Sequence, residues 1–455
     1  MLADPLLIFF LALSPKSKIQ SFRTVFQTFT SDPNFHKHSW ALRPVIKRSV
    51  PGVRESFRLE ELEKAVDSDF LQAGLGVATK ESGWRMKNVG TPRGNSYEDA
   101  KLRYVDVAQA MRSGTVVFNS AGAHIPELAA CCLAALDEFG LPNCLNLYLT
   151  GKGLSLSAPP HTDKQDVFVL QCSGSKHWRV YNPPKPSSAP HADPFARGKG
   201  DDVLKLSELD EPLIDTRLEP GDVLYVPAGF PHTTHTEADP ESDSESDSVH
   251  LTLGVDTHIW HLSLSSAVEG ALARKEIRVP QSVDLPSDLF WRLARTPSHL
   301  GFLRHKMTSD EARIIADEEL NDGLASIGVD YGRIVSAGER DLILLRLEEH
   351  AQNIVSIQRD MYDEALLDYG REPIIGEQRV TLLRVKAHLE RIESAMDRHL
   401  RWLGSASSSN RGQMAVPAKA NSVSNAKSVG GFGAATNHAR KPKSGGKGKK
   451  KSKSK

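Results

Sequence analysis

Between Cys144 and about His258 the chain breaks into short apolar segments separated by clusters of proline, glycine and aspartate. The segments "CLNLYLT", "DVFVLQC", "HWRVYN", "PLIDTRL", "DVLYVP" and "HLTLGVD" have strand length, and Leu145, Leu147 and Leu149 alternate as one buried face of a strand would. Many short strands at close spacing predict a β-barrel or sandwich. Two polar stretches interrupt them, Pro183 to Asp202 and Glu237 to Ser248; the second, "EADPESDSESDS", is acidic and serine-rich and reads as a disordered insertion.

The flanks follow other patterns, so the chain as a whole is α+β. Residues 1–30 carry an apolar run, Leu6 to Leu13, too short to span a bilayer and preceded by Asp4 instead of a basic stretch, which favours a buried first element over a signal peptide. Residues 31–140 read as a mixed α/β lead-in packing on the core, ending in the helix "PELAACCLAALDEF" with Pro126 in its first turn and Gly140 after its end. Residues 141–263 form the strand-rich unit, with an acidic loop at 237–249. Residues 264–404 read as nearly all helix, from the capped "TSDEARIIADEELNDGLASIG" to a last helix over Glu377 to Leu403. In that helix Leu382, Val385, Leu389, Ile392 and Met396 make a heptad-like stripe, read as core-facing, with a dimer seam as the alternative.

Charge divides the chain further. Residues 405–455 hold twelve basic and no acidic residues, leaving 45 bases against 57 acids, a net of about −12, in the preceding part. An acidic body suits basic protein partners. The tail, "ARKPKSGGKGKKKSKSK", cannot make a core and suits nucleic-acid contact or nuclear and nucleolar targeting. Cys131, Cys132, Cys144 and Cys172 lie in apolar stretches without metal-type spacing and read as buried, reduced thiols. No later stretch is a transmembrane candidate.

The chemistry sits in "PPHTDKQDVFVLQCSGSKHWRVY". His161 and Asp163, one residue apart on an extended segment, project to the same side and can share one ion. "GDVLYVPAGFPH" supplies a third ligand: Pro227 and Gly229 make a turn after a strand, so His232 begins the next strand and can face back across a barrel. His235 and His250 compete for that place, but neither follows the turn. Two histidines and a carboxylate with open positions suit a non-haem Fe(II) oxygenase. Such iron needs a two-electron donor to use O2, and 2-oxoglutarate serves by oxidative decarboxylation. Its distal carboxylate needs a cation, for which Lys176 on the following strand is the candidate, with Thr252 adding a hydroxyl.

These motifs, with "NLYLT", "APPHTD", "LEPGDVLYVPAGFPH" and "HLTLGV", resemble the JmjC/cupin oxygenases of the ribosomal oxygenase family, the bifunctional histidyl-hydroxylases and lysine-specific demethylases. The resemblance implies a double-stranded β-helix core (cupin, jelly-roll), His161, Asp163 and His232 as iron ligands, and Lys176 as the 2-oxoglutarate anchor. It also implies Asn146 and Tyr148 at the substrate end of the pocket. The expected function is Fe(II)- and 2-oxoglutarate-dependent hydroxylation of a ribosomal protein side chain; histone lysine demethylation and a non-catalytic cupin are the alternatives. Where the family commonly has "HYDD" this chain has "HTDKQD", so Thr162 and Lys164 alter the pocket mouth. The family's C-terminal part pairs a helical dimerisation region with a winged helix, so the resemblance also implies a homodimer.

Overall fold

In the computed structural model the described residues are 14–67 except 41, 73–79, 83–89, 104–183 except 113 and 164, 204–237, 246–255, 260, 262, 337–371 and 377–404. The run Leu6 to Leu13, the loop from residue 184, the expected helix over "TSDEARIIADEELNDGLASIG", any winged helix between residues 263 and 336, and the basic tail lie outside them.

Among the described residues twelve strands form two antiparallel sheets. The major sheet has the order β1 (Val45–Lys47), β10 (Val223–Val226), β7 (Asp166–Ser173), β12 (Ser248–Val255), β5 (Asn143–Thr150), β4 (Thr115–Phe118), β2 (Ala73–Thr79) and β3 (Gly83–Val89). The minor sheet has the order β6 (Ala158–His161), β11 (His232–His235), β8 (Lys176–Val180) and β9 (Ile214–Leu218). Strands far apart in sequence, such as β1 and β10, β7 and β12, β5 and β12, and β6 and β11, are neighbours, as in a jelly roll of two facing sheets.

The period of two in the strands decides what lies between the sheets and what lies behind them. On β7, Val167 and Val169 join Leu224 and Val226 of β10 and Trp178 and Val180 of β8 in an inner cluster. Phe168 and Leu170, with Val223 and Tyr225, point the other way into a larger core under the helices. Both faces are buried, which is why "DVFVLQC" is continuously apolar where a half-exposed strand would alternate.

Helix α1 (Pro15–Thr30) starts at Ser14, whose hydroxyl accepts from the Ser17 amide, and has proline at its first turn. Its stripe Phe22, Val25, Phe26 and Phe29 enters the outer core, so the folded body begins upstream of the lead-in boundary expected at residue 31. Short α2 (Pro33–His38) delivers Trp40, which stacks on Phe139 at 5.6 Å and on Tyr225 at 5.7 Å. Next come α3 (Leu59–Asp67), α4 (Tyr104–Met111), α5 (Ala121–His124) and α6 (Pro126–Phe139). Being apolar nearly all round, α6 is buried nearly throughout, and it ends at Gly140, whose φ of 64° is a left-handed cap. Trp40→Ala should lower unfolding free energy by about 3–5 kcal/mol in a denaturant titration, because the ring lies between two others and leaves a void.

The lead-in does more than pack on the barrel. Its strands β1 to β4 extend the major sheet at both edges, since their backbone groups find partners there. The acidic insertion is shorter than 237–249, because Ser248 and Val249 are already paired in β12. All four cysteines are buried.

Helices α7 (Ala337–Leu366) and α8 (Glu377–Gly404) close the described fold. Val385, Ile392 and Ala395 of α8 belong to the outer core, and Leu389 and Met396 pack against it. Four of the five stripe residues thus face the core, and the Leu382 side chain lies outside the described residues. On α7, Gln358 accepts from the Asn143 amide at 2.9 Å and donates to its carbonyl at 3.0 Å, while Tyr362 also donates to that carbonyl. The helix thereby fixes the first residue of β5.

Candidate metal centre

His161 closes β6 and His232 opens β11, and the two are cross-strand partners. Their rings lie 4.3 Å apart, and Asp163, in the loop just past β6, places a carboxylate oxygen 3.6 Å from His232 Nε2. One ligand atom from each of the three lies within 4.8 Å of the others, and both histidines are buried. The single residue between His161 and Asp163 and the strand pairing to His232 bring together what the sequence separates.

Backbone carbonyls fix the ring orientation. His161 Nδ1 lies 2.7 Å from the Pro159 carbonyl and His232 Nδ1 lies 3.1 Å from that of Phe230. A carbonyl only accepts, so each Nδ1 carries the proton and each neutral imidazole keeps its lone pair on Nε2. This is the arrangement of metal-ligating histidines held by an outer partner.

The turn feeding β11 is clamped on both sides. The Asp166 carboxylate accepts from the Ala228 amide at 2.7 Å, and the Gly229 amide donates to the Asp163 carbonyl at 2.8 Å. Gly229 has a φ of 77°, which a side chain would disfavour. Asp166→Ala should leave the strands in place and weaken metal binding by roughly 10- to 100-fold in a chelator competition, the usual consequence of losing an orienting partner.

The cluster opens into a cavity between the sheets lined in part by Tyr148, Val167, Val169, Trp178, His250 and Thr252, with Lys176 also on its wall. Lys176 opens β8 and is 2% exposed. Its ammonium donates to Thr150 Oγ1 at 2.7 Å, and among the described residues no ion pair joins it to a carboxylate. Burial lowers its pKa from 10.5 to about 7. Val180, opposite His232, is four residues further along β8, so the lysine and the cluster start about 13 Å apart along the strand. The lysine and all three cluster residues line the same cavity.

Every residue expected at the site has a definite place. Thr252 pairs with Asn146 across β12 and β5, so both face inward. Thr252 lines the cavity, and Tyr148 lines it too, stacked on His250 at 4.8 Å. Asn146 shares that face, and its Oδ1 accepts the Ser120 amide at 3.0 Å, which holds the turn after β4. Thr162 is buried beside the ligands, and Lys164 lies outside the described residues. His235 stacks on His177 at 4.5 Å, away from the cluster. Sequence reasoning missed Thr150, Asp166, Trp178 and the cavity role of His250. Thr150 was within reach of it, since Asn146, Tyr148 and Thr150 alternate on one strand. The ring of Trp178 flanks His232 at 5.6 Å.

Residues 127–261 match the JmjC domain family. This segment is a JmjC domain. Among curated proteins, the JmjC-bearing chain is 34% identical over 204 residues to ribosomal oxygenase 1 of Gallus gallus, covering 44% of this chain and 30% of that one. It is 33% identical over 155 residues to the bifunctional lysine-specific demethylase and histidyl-hydroxylase NO66 of Drosophila grimshawi, covering 34% and 20%. With ribosomal oxygenase 2 of Mus musculus it shares 26% identity over 245 residues, 48% of each. The matches therefore span between a fifth and a half of the length of these relatives. A solved structure of Escherichia coli ribosomal oxygenase YcfD is similar at 16% identity over 70% of each chain, with a TM-score of 0.34. The JmjC domain spans the whole constellation from β5 to β12.

Proposed function

We propose that the protein is an Fe(II)- and 2-oxoglutarate-dependent oxygenase that hydroxylates a side chain of a ribosomal protein. The observation carrying this reading is the pairing of an open cluster, His161, Asp163 and His232, with a buried cation, Lys176, in one cavity. The donor set fits the metal: two neutral imidazoles and a carboxylate suit Fe(II), and three ligands leave positions open. His161, Asp163 and His232 would hold the iron, which would supply oxidative decarboxylation of 2-oxoglutarate by O2 coupled to oxygen insertion into a C–H bond. The protein's own part is binding and orientation. The Pro159 and Phe230 carbonyls keep both imidazoles turned to the metal, Lys176 holds the distal carboxylate with Thr252 beside it, and Val167, Val169 and Trp178 keep that end dry. Tyr148 and His250 form the wall facing the acceptor.

Relatives named ribosomal oxygenase and histidyl-hydroxylase support a ribosomal protein as substrate, and the acidic body suits such a basic partner. The lysine-rich tail supports a nuclear or nucleolar location and contact with nucleic acid, and a homodimer through residues 264–404 accompanies the same reading. Among the described residues no helix is long and apolar enough to cross a membrane. The test is Fe(II)-dependent succinate formation with pooled ribosomal proteins and histones, followed by mass spectrometry. Gain of one oxygen on a ribosomal peptide supports the proposal. Loss of a methyl group from a histone lysine replaces it with demethylation, and no turnover in any mixture leaves a binding protein.

A further inference from the structure

Lys176 is not simply buried; it ends a chain of hydroxyls. Its ammonium donates to Thr150 Oγ1 at 2.7 Å, Thr150 and Thr115 hydroxyls lie 3.0 Å apart, and Thr115 Oγ1 donates to the Ser157 carbonyl at 3.3 Å. Both threonines are fully buried and are cross-strand partners on β4 and β5. Chemistry fixes the direction of the chain. The Ser157 carbonyl can only accept, so the Thr115 proton is committed to it. The Thr115 oxygen is then the acceptor for Thr150, and the Thr150 oxygen is left as an acceptor for the lysine. This end of the chain requires a donor, and an ammonium, which cannot accept, supplies a stronger one than the neutral amine.

We propose that Thr115 and Thr150 form a one-way hydroxyl relay that holds Lys176 as an ammonium aimed into the cavity, and so set its affinity for the far carboxylate of a dicarboxylate cosubstrate. The proposal rests on the oxygenase reading for the identity of that anion. With one lysine donor taken by Thr150, two N–H groups remain for the carboxylate. Thr150 has no proton left to give, so it is a positioning residue that does not itself bind the anion. A hydrogen bond to the charged form favours that form, so the relay counters the burial that pulls the lysine toward neutrality at about pH 7. The other ionisable groups on the cavity wall are Tyr148 from β5, His250 from β12, His232 from β11, and His161 and Asp163 at the end of β6; β9 places apolar Leu218 opposite the lysine. The relay also ends on the Ser157 carbonyl, four residues before His161, so the anchor and the metal ligand are referenced to one segment.

The experiment uses full-length protein and three variants: Thr150→Val, which keeps shape and removes the hydroxyl, Thr150→Ser, which restores it, and Thr115→Val. Binding of 2-oxoglutarate in the presence of Mn(II) is measured by calorimetry. Titration of Lys176 is followed by NMR on protein labelled at the lysine ε-carbons, with Lys176→Met assigning the signal. Thr150→Val should weaken binding by about 10-fold and lower the lysine titration by about one pH unit. Its binding deficit should grow as pH rises through 7, Thr150→Ser should recover both values, and Thr115→Val should shift both less, in the same direction. Folded Thr150→Val with wild-type affinity and wild-type titration overturns the relay. If wild type binds no 2-oxoglutarate while Thr150→Val still lowers the titration, the cosubstrate assignment falls and the relay stands as a device holding the lysine charged.

Discussion

His161→Ala protein is expected to fold normally and to lose Fe(II)-dependent conversion of 2-oxoglutarate to succinate. The loss should exceed the roughly 100-fold that follows removal of a ligand's orienting partner, because the ligand itself is gone. Three donor atoms gathered within 4.8 Å become two, with open positions increased and, among the described residues, no other His, Cys, Asp or Glu in that cluster. Stability should change little, since His161 ends its strand and its ring bonds a carbonyl only two residues away. Metal content by mass spectrometry, succinate yield and thermal unfolding on the same sample check all three points. Retained metal and turnover would remove His161 from the ligand set and shift attention to His250.

Lys176→Met should have opposite effects on function and stability. Loss of the ammonium removes the cavity's cation, so 2-oxoglutarate binding should fall by at least 100-fold in calorimetry with Mn(II). Yet the apo protein should become more stable near neutral pH, because methionine fills similar space without a desolvated charge. The sign follows from the titration. The lysine pKa is about 7 when folded and 10.5 by its ordinary value, so the unfolded chain binds the extra proton between those limits. Wild-type stability therefore rises with pH from about 7 to 10.5, and the deficit is complete below 7. The difference between wild type and Lys176→Met should be several kcal/mol at pH 6 and shrink toward pH 10.5. Denaturant titrations at several pH values test this, and equal stability of the two proteins at pH 6 would contradict it.

Much of the site could be read from order along the chain because its signals are local. His161 and Asp163 share a side through the two-residue period of extended backbone, and Pro227 and Gly229 announce the turn that His232 follows. Lys176 stood out as a lysine on the strand that follows the His161 and Asp163 segment. The strands from Cys144 to Val255 were legible for the same reason, as was α6 between Pro126 and Gly140. Asp166 and Trp178 escaped because each acts through a neighbour: a carboxylate clamps a turn 62 residues away, and a ring flanks His232 from the next strand.

By itself, the sequence determined which residues could act: periodicity and turn chemistry are properties of adjacent residues, and they named the candidate ligands, the candidate anchor and the barrel. The tertiary structure alone decided where the lead-in goes, because β1 and β4 take their positions from unpaired strand edges far along the chain. It decided that Val385, Leu389, Ile392 and Met396 of α8 pack on its own core, that Gln358 of α7 clasps Asn143 across 215 residues, and that Asn146 accepts the Ser120 amide at the turn after β4. Above all it decided the direction of the Thr115 and Thr150 chain beneath Lys176. Hydrogen-bond direction depends on which carbonyl lies at the far end, and only folding brings Ser157 there.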